Sequence, residues 1–537
     1  MDKATGMAKS SARGGFKLFI GVSVSSVVTA VSLILVLRLL GSPEEYGIIT
    51  TALIFPTMLG LFKDWGINSA MVKYLAQYKS EKKTLGVKNV MVTGALFELV
   101  MGGLLTLLCF LMADFLAVRV FLLPEAKVLI EIASLTILAD SFLKISQSTF
   151  IGLEKMEFYS LTLILNSCLR LLLAPLLVWL GYSILGAIQG QIAAQVTGGI
   201  LGLIIFYAKV FRNTKKEAKT KTDIIGTLKT LLKYGLPLSV SAVIGGFLPQ
   251  FFNTLLTQSF TTTNAVGYTG ALGNYQAAIN FTVIITFFTV PINTVLFPAF
   301  SKIKGKDEKG ILRAVFQTSV KYGALLTIPV TLMIMVLSEP IVFTVVGTGY
   351  TEAPIFLTLY SIIFLYAGIG SLSIANFLNG QGKTEVTMKL AIISLIGGII
   401  TALLLIPQFG VIGLIFANII TGLPSLLMGL WWIKKHFNAT IDWASSAKIF
   451  LASGTAAGVT YLLLLQLKSS SWIELAVGGI TFSLVYLVTA PLIRAVNKKD
   501  VESLREMLSD LGPFSPIFNI PLKTIEKLLD VFSFKRE

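Results

Sequence analysis

Apolar stretches of about 20 residues, the length that crosses the hydrocarbon of a bilayer as an α-helix, recur about fourteen times along this chain. They fall near residues 16–40, 46–72, 89–115, 128–151, 158–180, 183–208, 234–256, 266–297, 319–345, 353–378, 386–406, 411–433, 448–467 and 473–496. A segment at bilayer depth must satisfy its own backbone hydrogen bonds, which leaves helices as the fold for runs of this length. The expected architecture is an all-α polytopic membrane protein. Of its 537 residues 54% are hydrophobic and 13% charged, with a mean hydropathy of +0.80, whereas roughly a quarter of the residues of a soluble globule are charged.

The formal charge of +16 raises the question of nucleic acid, and its distribution answers it. With both termini placed in the cytoplasm, the outer connections hold Arg38, Arg119, Lys127 and Lys468 against Glu44, Glu45, Asp114, Glu125, Glu131, Glu339, Glu352 and Glu474. Almost all remaining Lys and Arg lie on the cytoplasmic side, including Lys209, Arg212, Lys215, Lys216, Lys219 and Lys221. This is the positive-inside pattern of a multi-pass plasma-membrane protein, not a nucleic-acid groove. The basic N-terminal segment with Lys3, Lys9, Arg13 and Lys17 leads into a run too long for a cleavable signal, so it reads as a retained first helix. Cys109 and Cys168 both lie in spans, which indicates neither a disulfide framework nor a metal site.

The longest internal hydrophilic break divides the chain into an N-lobe over 1–208, a basic linker over 209–233 and a C-lobe over 234–433. Accessory helices follow at 434–496, and an amphipathic tail at 497–537 is suited either to the cytoplasmic membrane surface or to packing on the protein. The two lobes carry a faint repeat. Ser148-Thr149-Phe150-Ile151-Gly152-Leu153-Glu154-Lys155 corresponds to Asn376-Phe377-Leu378-Asn379-Gly380-Gln381-Gly382-Lys383, and each precedes a span that ends in a glycine turn, at Gly181 and Gly410. Six intervening helices preserve orientation, so the halves are expected to be parallel six-helix repeats.

Six of the 72 charged side chains sit inside apolar stretches, all before residue 171: Lys63, Asp64, Glu98, Asp140, Lys144 and Arg170. An ion at that depth costs several kcal/mol and is rarely present without a pairing or transport role. Counting from the helix starts puts Asp140 and Arg170 each about 18 Å in, near the midplane. That matched depth permits an Asp140–Arg170 ion pair, and it equally permits Arg170 to line a cavity and hold an anionic headgroup through its paired N–H donors. Lys144 reaches Asp140 at i,i+4. Asp64, Glu98 and Asp140 are candidates to bind a coupling H⁺ or Na⁺; the alternative is that neighbouring lysines neutralise them. The C-lobe has no ionised side chain in mid-span but carries Asn253, Gln258, Asn274, Gln276, Asn280 and Asn293, of which Gln276 and Asn280 share a helix face. Such amides bind sugar hydroxyls or join helices. Gly186 and Gly190 have the spacing of close helix packing. A single histidine, His436, and the absence of a G-x-x-x-x-G-K-[ST] loop argue against histidine catalysis and ATP-driven pumping.

Leu39-Leu40-Gly41-Ser42-Pro43-Glu44-Glu45-Tyr46-Gly47, then Asp64-Trp65-Gly66-Ile67-Asn68-Ser69-Ala70-Met71-Val72-Lys73-Tyr74, and Phe150-Ile151-Gly152-Leu153-Glu154-Lys155 resemble polysaccharide-biosynthesis flippases of the O-antigen-translocase type. These belong to the multidrug/oligosaccharidyl-lipid/polysaccharide exporter superfamily. The resemblance implies two six-helix lobes in a V around a central cavity, and a transporter, not an enzyme. It implies movement of a polyprenyl-(pyro)phosphate-linked saccharide to the outer leaflet by alternating access, with glycosyltransferase and polymerase neighbours. Basic cavity residues then hold the phosphates, which singles out Arg170, with Lys63 and Arg38 beside it, while Gln276 and Asn280 are candidates for sugar contacts. The alternative within the superfamily is an organic-cation antiporter using Glu98 and Asp140.

Overall fold

The computed structural model describes residues 2–212, 223–261, 267–287, 289, 300, 303 and 309–498, together with 500–502, 505, 523–524, 526–527 and 529 of the tail. Every regular element among them is a helix. Seven helices are long and apolar enough to cross a bilayer, or eight if one bent pair counts as a span. Two of these are 54 residues long and each turns back on itself at a backbone break, so each contains two of the expected spans. The chain is a multi-pass membrane protein.

Contacts gather the chain into two compact units, Met1–Gly273 and Asn274–Glu537. In the first, α1 is Asp2–Leu40, α2 Pro43–Gly60, α3 Ile67–Ser80, α4 Thr84–Phe115, α5 Ala126–Gly152, α6 Met156–Leu177, α7 Ser183–Phe206, α8 Ile224–Thr261, and α9, Gly267–Phe281, begins it before running into the second. Ser42 caps α2, its Oγ accepting from the Glu45 N–H at 3.4 Å, with Pro43 at the first helical position and Glu44 and Glu45 in the positive first turn. α7 lies between α5 and α6 because its glycines allow it. A Cβ on Gly190 would stand 2.4 Å from the Ala174 backbone, and one on Gly199 2.5 Å from Phe142 Cβ. The packing role expected of Gly190 is therefore realised. α8 packs on α2, α3 and α4. Ile67, Met71, Leu75, Val87, Met91, Phe150 and Leu231 close the core where α3, α4, α5 and α8 meet.

The expected span over 46–72 is not one helix. α2 stops at Gly60, residues 61–66 form turns, and α3 starts at Ile67 after Trp65 (φ 46) and Gly66 (φ 75). Left-handed backbone at two consecutive residues keeps the turn from running on as one helix into α3. At Gly66 a side chain is excluded twice, by φ and by the Gly235 carbonyl oxygen 2.0 Å from the Cβ position. Lys63 and Asp64 thus sit in a break, not on a helix face.

In the second unit, α10 is Lys309–Val336, α11 Ser338–Val345, α12 Ala353–Ser361, α13 Ser371–Gly380, α14 Thr384–Phe437, α15 Trp443–Leu467 and α16 Ser471–Leu492. The span expected over 353–378 is bent by 50°, with the 3₁₀ segment Ile362–Ile369 and Gly370 (φ 88) between α12 and α13. Phe377 anchors one core, its ring centroid 5.2 Å from Phe300, 5.3 Å from Phe316 and 5.1 Å from Phe437. A second core joins Tyr322, Leu325 and Ile328 of α10 to Ile449, Ala452 and Ala490 of the accessory helices, and to Val496 and Val501 beyond them. Lys321 pairs with Asp500 at 2.6 Å. The first described residues of the tail therefore pack on the protein; the amphipathic stretch from Ile520 lies largely outside the described residues, as do Asn293 and Lys215–Lys221.

The sequence repeat reappears as identical hydrogen bonds. After α5, the N–H groups of Leu153, Glu154 and Lys155 donate to the carbonyls of Thr149, Ile151 and Phe150 at 3.0, 2.9 and 2.8 Å. After α13, those of Gln381, Gly382 and Lys383 donate to Phe377, Asn379 and Leu378 at 3.0, 3.0 and 2.7 Å. Both are left-handed helix caps, at Glu154 (φ 56) and Gly382 (φ 69). The later breaks correspond two residues away from the expected pairing: Ser183 at φ 43, ψ −125, not Gly181 at φ 94, ψ 6, has the backbone of Gly410 at φ 57, ψ −129.

Gly66→Ala is expected to destabilise the protein by about 2 kcal/mol or more, from backbone strain plus the clash with Gly235. Gly103→Ala in α4, where a Cβ meets nothing within 4 Å, should be neutral or stabilising by up to ~1 kcal/mol. Thermal unfolding of the two purified variants in detergent checks both.

Candidate functional site

The break between α2 and α3 directs its charges into the first unit. Lys63 is only 2% exposed, and its Nζ lies 2.9 Å from Asp140 Oδ2 on α5 and 3.5 Å from Glu98 Oε2 on α4. Asp64 Oδ1 accepts the Asn68 backbone N–H at 2.8 Å and so caps the start of α3. The Asn68 side chain donates to Glu98 Oε1 at 2.6 Å, while its Oδ1 accepts from the Ser148 hydroxyl of α5 at 2.5 Å. Glu98 is fully buried and Oε2 has no hydrogen-bond partner besides the facing ammonium. The Asp140 side chain remains 41% exposed. One lysine therefore joins three elements, the α2–α3 break, α4 and α5.

The Asp140–Arg170 pair permitted by depth is not formed. Asp140 belongs to Lys63, and α6 packs mainly on α1 and α7, with α7 standing between it and α5. Arg170 instead donates from Nη2 to Gln191 Oε1 of α7 at 2.9 Å, and its carbonyl accepts the Ser32 hydroxyl of α1 at 3.0 Å. Among the described residues no carboxylate lies within 4 Å of the guanidinium. Asn166, one turn before Arg170, and Gln195, one turn after Gln191, fall level with each other on this antiparallel α6–α7 seam. Asn166 Oδ1 and Gln195 Oε1 are buried without a partner. The seam thus pairs a cation holding spare donors with two unused acceptors.

The other candidates are dispersed. Arg38 is exposed in the last turn of α1. Lys144 is exposed on α5 and does not bond Asp140. Gln276 and Asn280 are half-buried on α9. Asn274 joins helices, its Oδ1 accepting the Glu352 and Ala353 N–H groups at the start of α12 at 3.2 and 3.1 Å. Sequence reasoning missed Asn68, Ser148, Gln191 and the acceptors Asn166 and Gln195. A usable signal existed for some: Asn166 precedes Arg170, and Gln191 precedes Gln195, by four residues each.

Comparison with known proteins fits these features. The sequence profile of the polysaccharide biosynthesis protein family matches residues 11–304, more than half of the chain. The chain belongs to this family. The MatE profile also matches, over residues 241–404. An uncharacterized membrane protein of Methanocaldococcus jannaschii is 20% identical over 86% of this chain and 91% of its own length. A probable low-salt glycan biosynthesis flippase, Agl15 of Haloferax volcanii, is 22% identical over 61% of this chain and 68% of its own. The fold is similar to that of the lipid II flippase MurJ in an inward closed conformation, with a TM-score of 0.70 and 18% identity over 88% of this chain and 98% of that one.

In this family member Lys63→Ala is expected to cost about 3–5 kcal/mol, because it leaves the Glu98 charge buried and unpaired. Lys63→Ala with Glu98→Gln should recover at least half of that loss, since the uncompensated charge is gone. Thermal unfolding of the single and double variants decides between this coupling and simple additivity.

Proposed function

We propose that this protein is a flippase that moves a polyprenyl-(pyro)phosphate-linked saccharide from the cytoplasmic to the outer leaflet by alternating access. The observation that carries the reading is Arg170, an intramembrane guanidinium bonded to an amide and, among the described residues, with no carboxylate within 4 Å. A buried cation left in that state attracts an anion, and a guanidinium suits phosphate oxygens through parallel N–H donors. The unused oxygens of Asn166 and Gln195 one turn away accept hydroxyl donors, which a sugar supplies. Family membership and the flippase named among the relatives support the same cargo class. An organic-cation cargo is disfavoured at this seam, where Arg170 would repel it.

Transport of this kind needs a driving force, and the acids Asp64, Glu98 and Asp140 are the groups we assign to coupling, through H⁺ or Na⁺. The protein resides in the cytoplasmic membrane with both termini in the cytoplasm, next to the glycosyltransferases and polymerase that make and consume its cargo. Lys63, with its charge committed to Glu98 and Asp140, organises this part of the protein and does not meet the phosphate.

Arg170→Ala is expected to lower translocation of a fluorescent polyprenyl-diphosphate-linked saccharide in proteoliposomes by at least about tenfold, the loss of one charge-assisted hydrogen-bonded contact worth roughly 1.5–3 kcal/mol. Yield and thermal stability should stay close to wild type, and Arg170→Lys should retain part of the activity. Full activity of Arg170→Ala would remove the headgroup role.

A further inference from the structure

Every group aimed at the Glu98 carboxylate is a hydrogen-bond donor. Oε1 takes the Asn68 amide at 2.6 Å, and Oε2 faces the Lys63 ammonium at 3.5 Å with no other partner. A hard metal cation requires the opposite, a shell of oxygen lone pairs. The seat between Glu98 and Asp140 is already filled by Nζ of Lys63, and among the described residues no cluster of acidic, histidine or cysteine side chains is arranged to hold a metal. A proton needs no shell, only a lone pair to bind and an acceptor to face. The charges favour it too. Lys63 and Asp64 from the break and Asp140 from α5 surround Glu98, with Lys144 on α5 beyond Asp64, while α3 and α8 bring no ion pair to it. Three acids against two bases leave one negative charge over.

We propose that Glu98 is the seat of one exchangeable proton, closed to Na⁺, and that the Asn68 amide relays its occupancy from α4 to α5. The proposal deepens the gradient-driven reading above by naming the ion and its relay. With Glu98 ionised, Asn68 donates to it and accepts from the Ser148 hydroxyl at 2.5 Å. A proton from the aqueous phase adds to Glu98, which becomes a donor and brings the cluster from one negative charge to none. The carboxamide then turns over, presenting Oδ1 to the Glu98 O–H and Nδ2 to Ser148. The Ser148 hydroxyl accepts that bond and turns its one hydrogen from Asn68 to the Lys144 carbonyl, already 2.8 Å away. Asn and Ser are the side chains that can change sides in this way, since each both donates and accepts. Lys63 is left with Asp140 as its one close counter-ion, which loosens the break that carries it. Trp65 lies in that break, edge-on to Phe97 at 6.1 Å, next to Glu98 in sequence, and reports the change.

The test uses the full-length protein in nanodiscs without any saccharide. Acidification should produce an infrared band of a protonated carboxylic acid that is lost in Glu98→Gln, and a shift of Trp65 emission, identified by its loss in Trp65→Phe, with the same single-proton midpoint. Replacing choline by Na⁺ at constant pH should move neither signal. Asn68→Leu should keep the infrared band and lose most of the Trp65 shift. A Na⁺-dependent shift, a band that survives in Glu98→Gln, or a wild-type Trp65 response in Asn68→Leu would each overturn the proposal. If Glu98→Gln does not assemble, the Na⁺ comparison on wild type and the Asn68→Leu response decide alone. Failure of the flippase reading shows elsewhere, in the saccharide assay, because none of these signals depends on cargo.

Discussion

Lys63 holds the first unit together at a point where a membrane helix is interrupted. Six residues outside regular helix, of which Leu61, Phe62 and Lys63 bond back to the last turn of α2, are tolerated at such depth only when neighbouring protein supplies the remaining partners. Here Asp64 caps the new helix, Glu98 and Asp140 neutralise Lys63, and Asn68 fills the remaining valence of Glu98. Lys63 thus fixes the break to α4 and α5, while Asp64 and Asn68 tie α3 to the same cluster. Gly66 allows α8 to close over the same break, with its backbone against that of Gly235. A continuous helix through 46–72 would carry Lys63 and Asp64 about 100° apart and could not aim both inward.

Much of the architecture was legible because hydrophobic run length reports bilayer crossing directly, and because capped helix ends leave glycine signatures. The Phe150–Lys155 and Leu378–Lys383 turns were found as a sequence echo and proved to share their hydrogen bonds one by one. The break was not legible. Trp65 adopts a left-handed backbone that nothing in its residue type announces, and Gly66 alone reads as an ordinary interior glycine. The pairing of charges failed for a different reason. Helix depth follows from counting residues, but which helices touch depends on the glycine face of α7, which inserts between α5 and α6 and separates Asp140 from Arg170. Asn68 stood within a recognised motif, yet its role depends on Glu98 and Ser148, residues 30 and 80 positions away.

The two halves share their turns and diverge in their chemistry. In the second unit, apart from Lys321 of α10 with Asp500, helices are joined by neutral pairs: Ser319 with Ser373 at 2.9 Å, Ser394 with Ser425 at 2.9 Å, and Asn274 with the first N–H groups of α12. Such contacts are modest in strength, near 1 kcal/mol each, and indifferent to pH. A repeat that fixes topology therefore leaves its members free to specialise, and the ionic apparatus of this chain accumulates in one of them. The MatE profile, over residues 241–404, lies outside the segment that carries the six intramembrane charges, and likeness of fold alone says little about cargo.

The six intramembrane charges cancel in sum but not in place. The cluster around Lys63 holds three acids and two bases, while Arg170, across α7, has only the Gln191 amide and no counter-ion within 4 Å among the described residues. Without cargo these six charges sum to zero, as the charges of a body that reorients in a bilayer must approximately do, since an uncompensated ion there costs several kcal/mol. On the proposed function, a phosphate-linked lipid arriving at Arg170 turns this set negative, and a proton on Glu98 brings it back toward neutral. On the proposed reading, loaded and protonated, or empty and deprotonated, are the two states of low electrostatic cost, and the mixed states are penalised. Coupling between ion and cargo then requires no direct contact between their sites. It follows from the requirement that whatever moves through the hydrocarbon moves with its charge balanced.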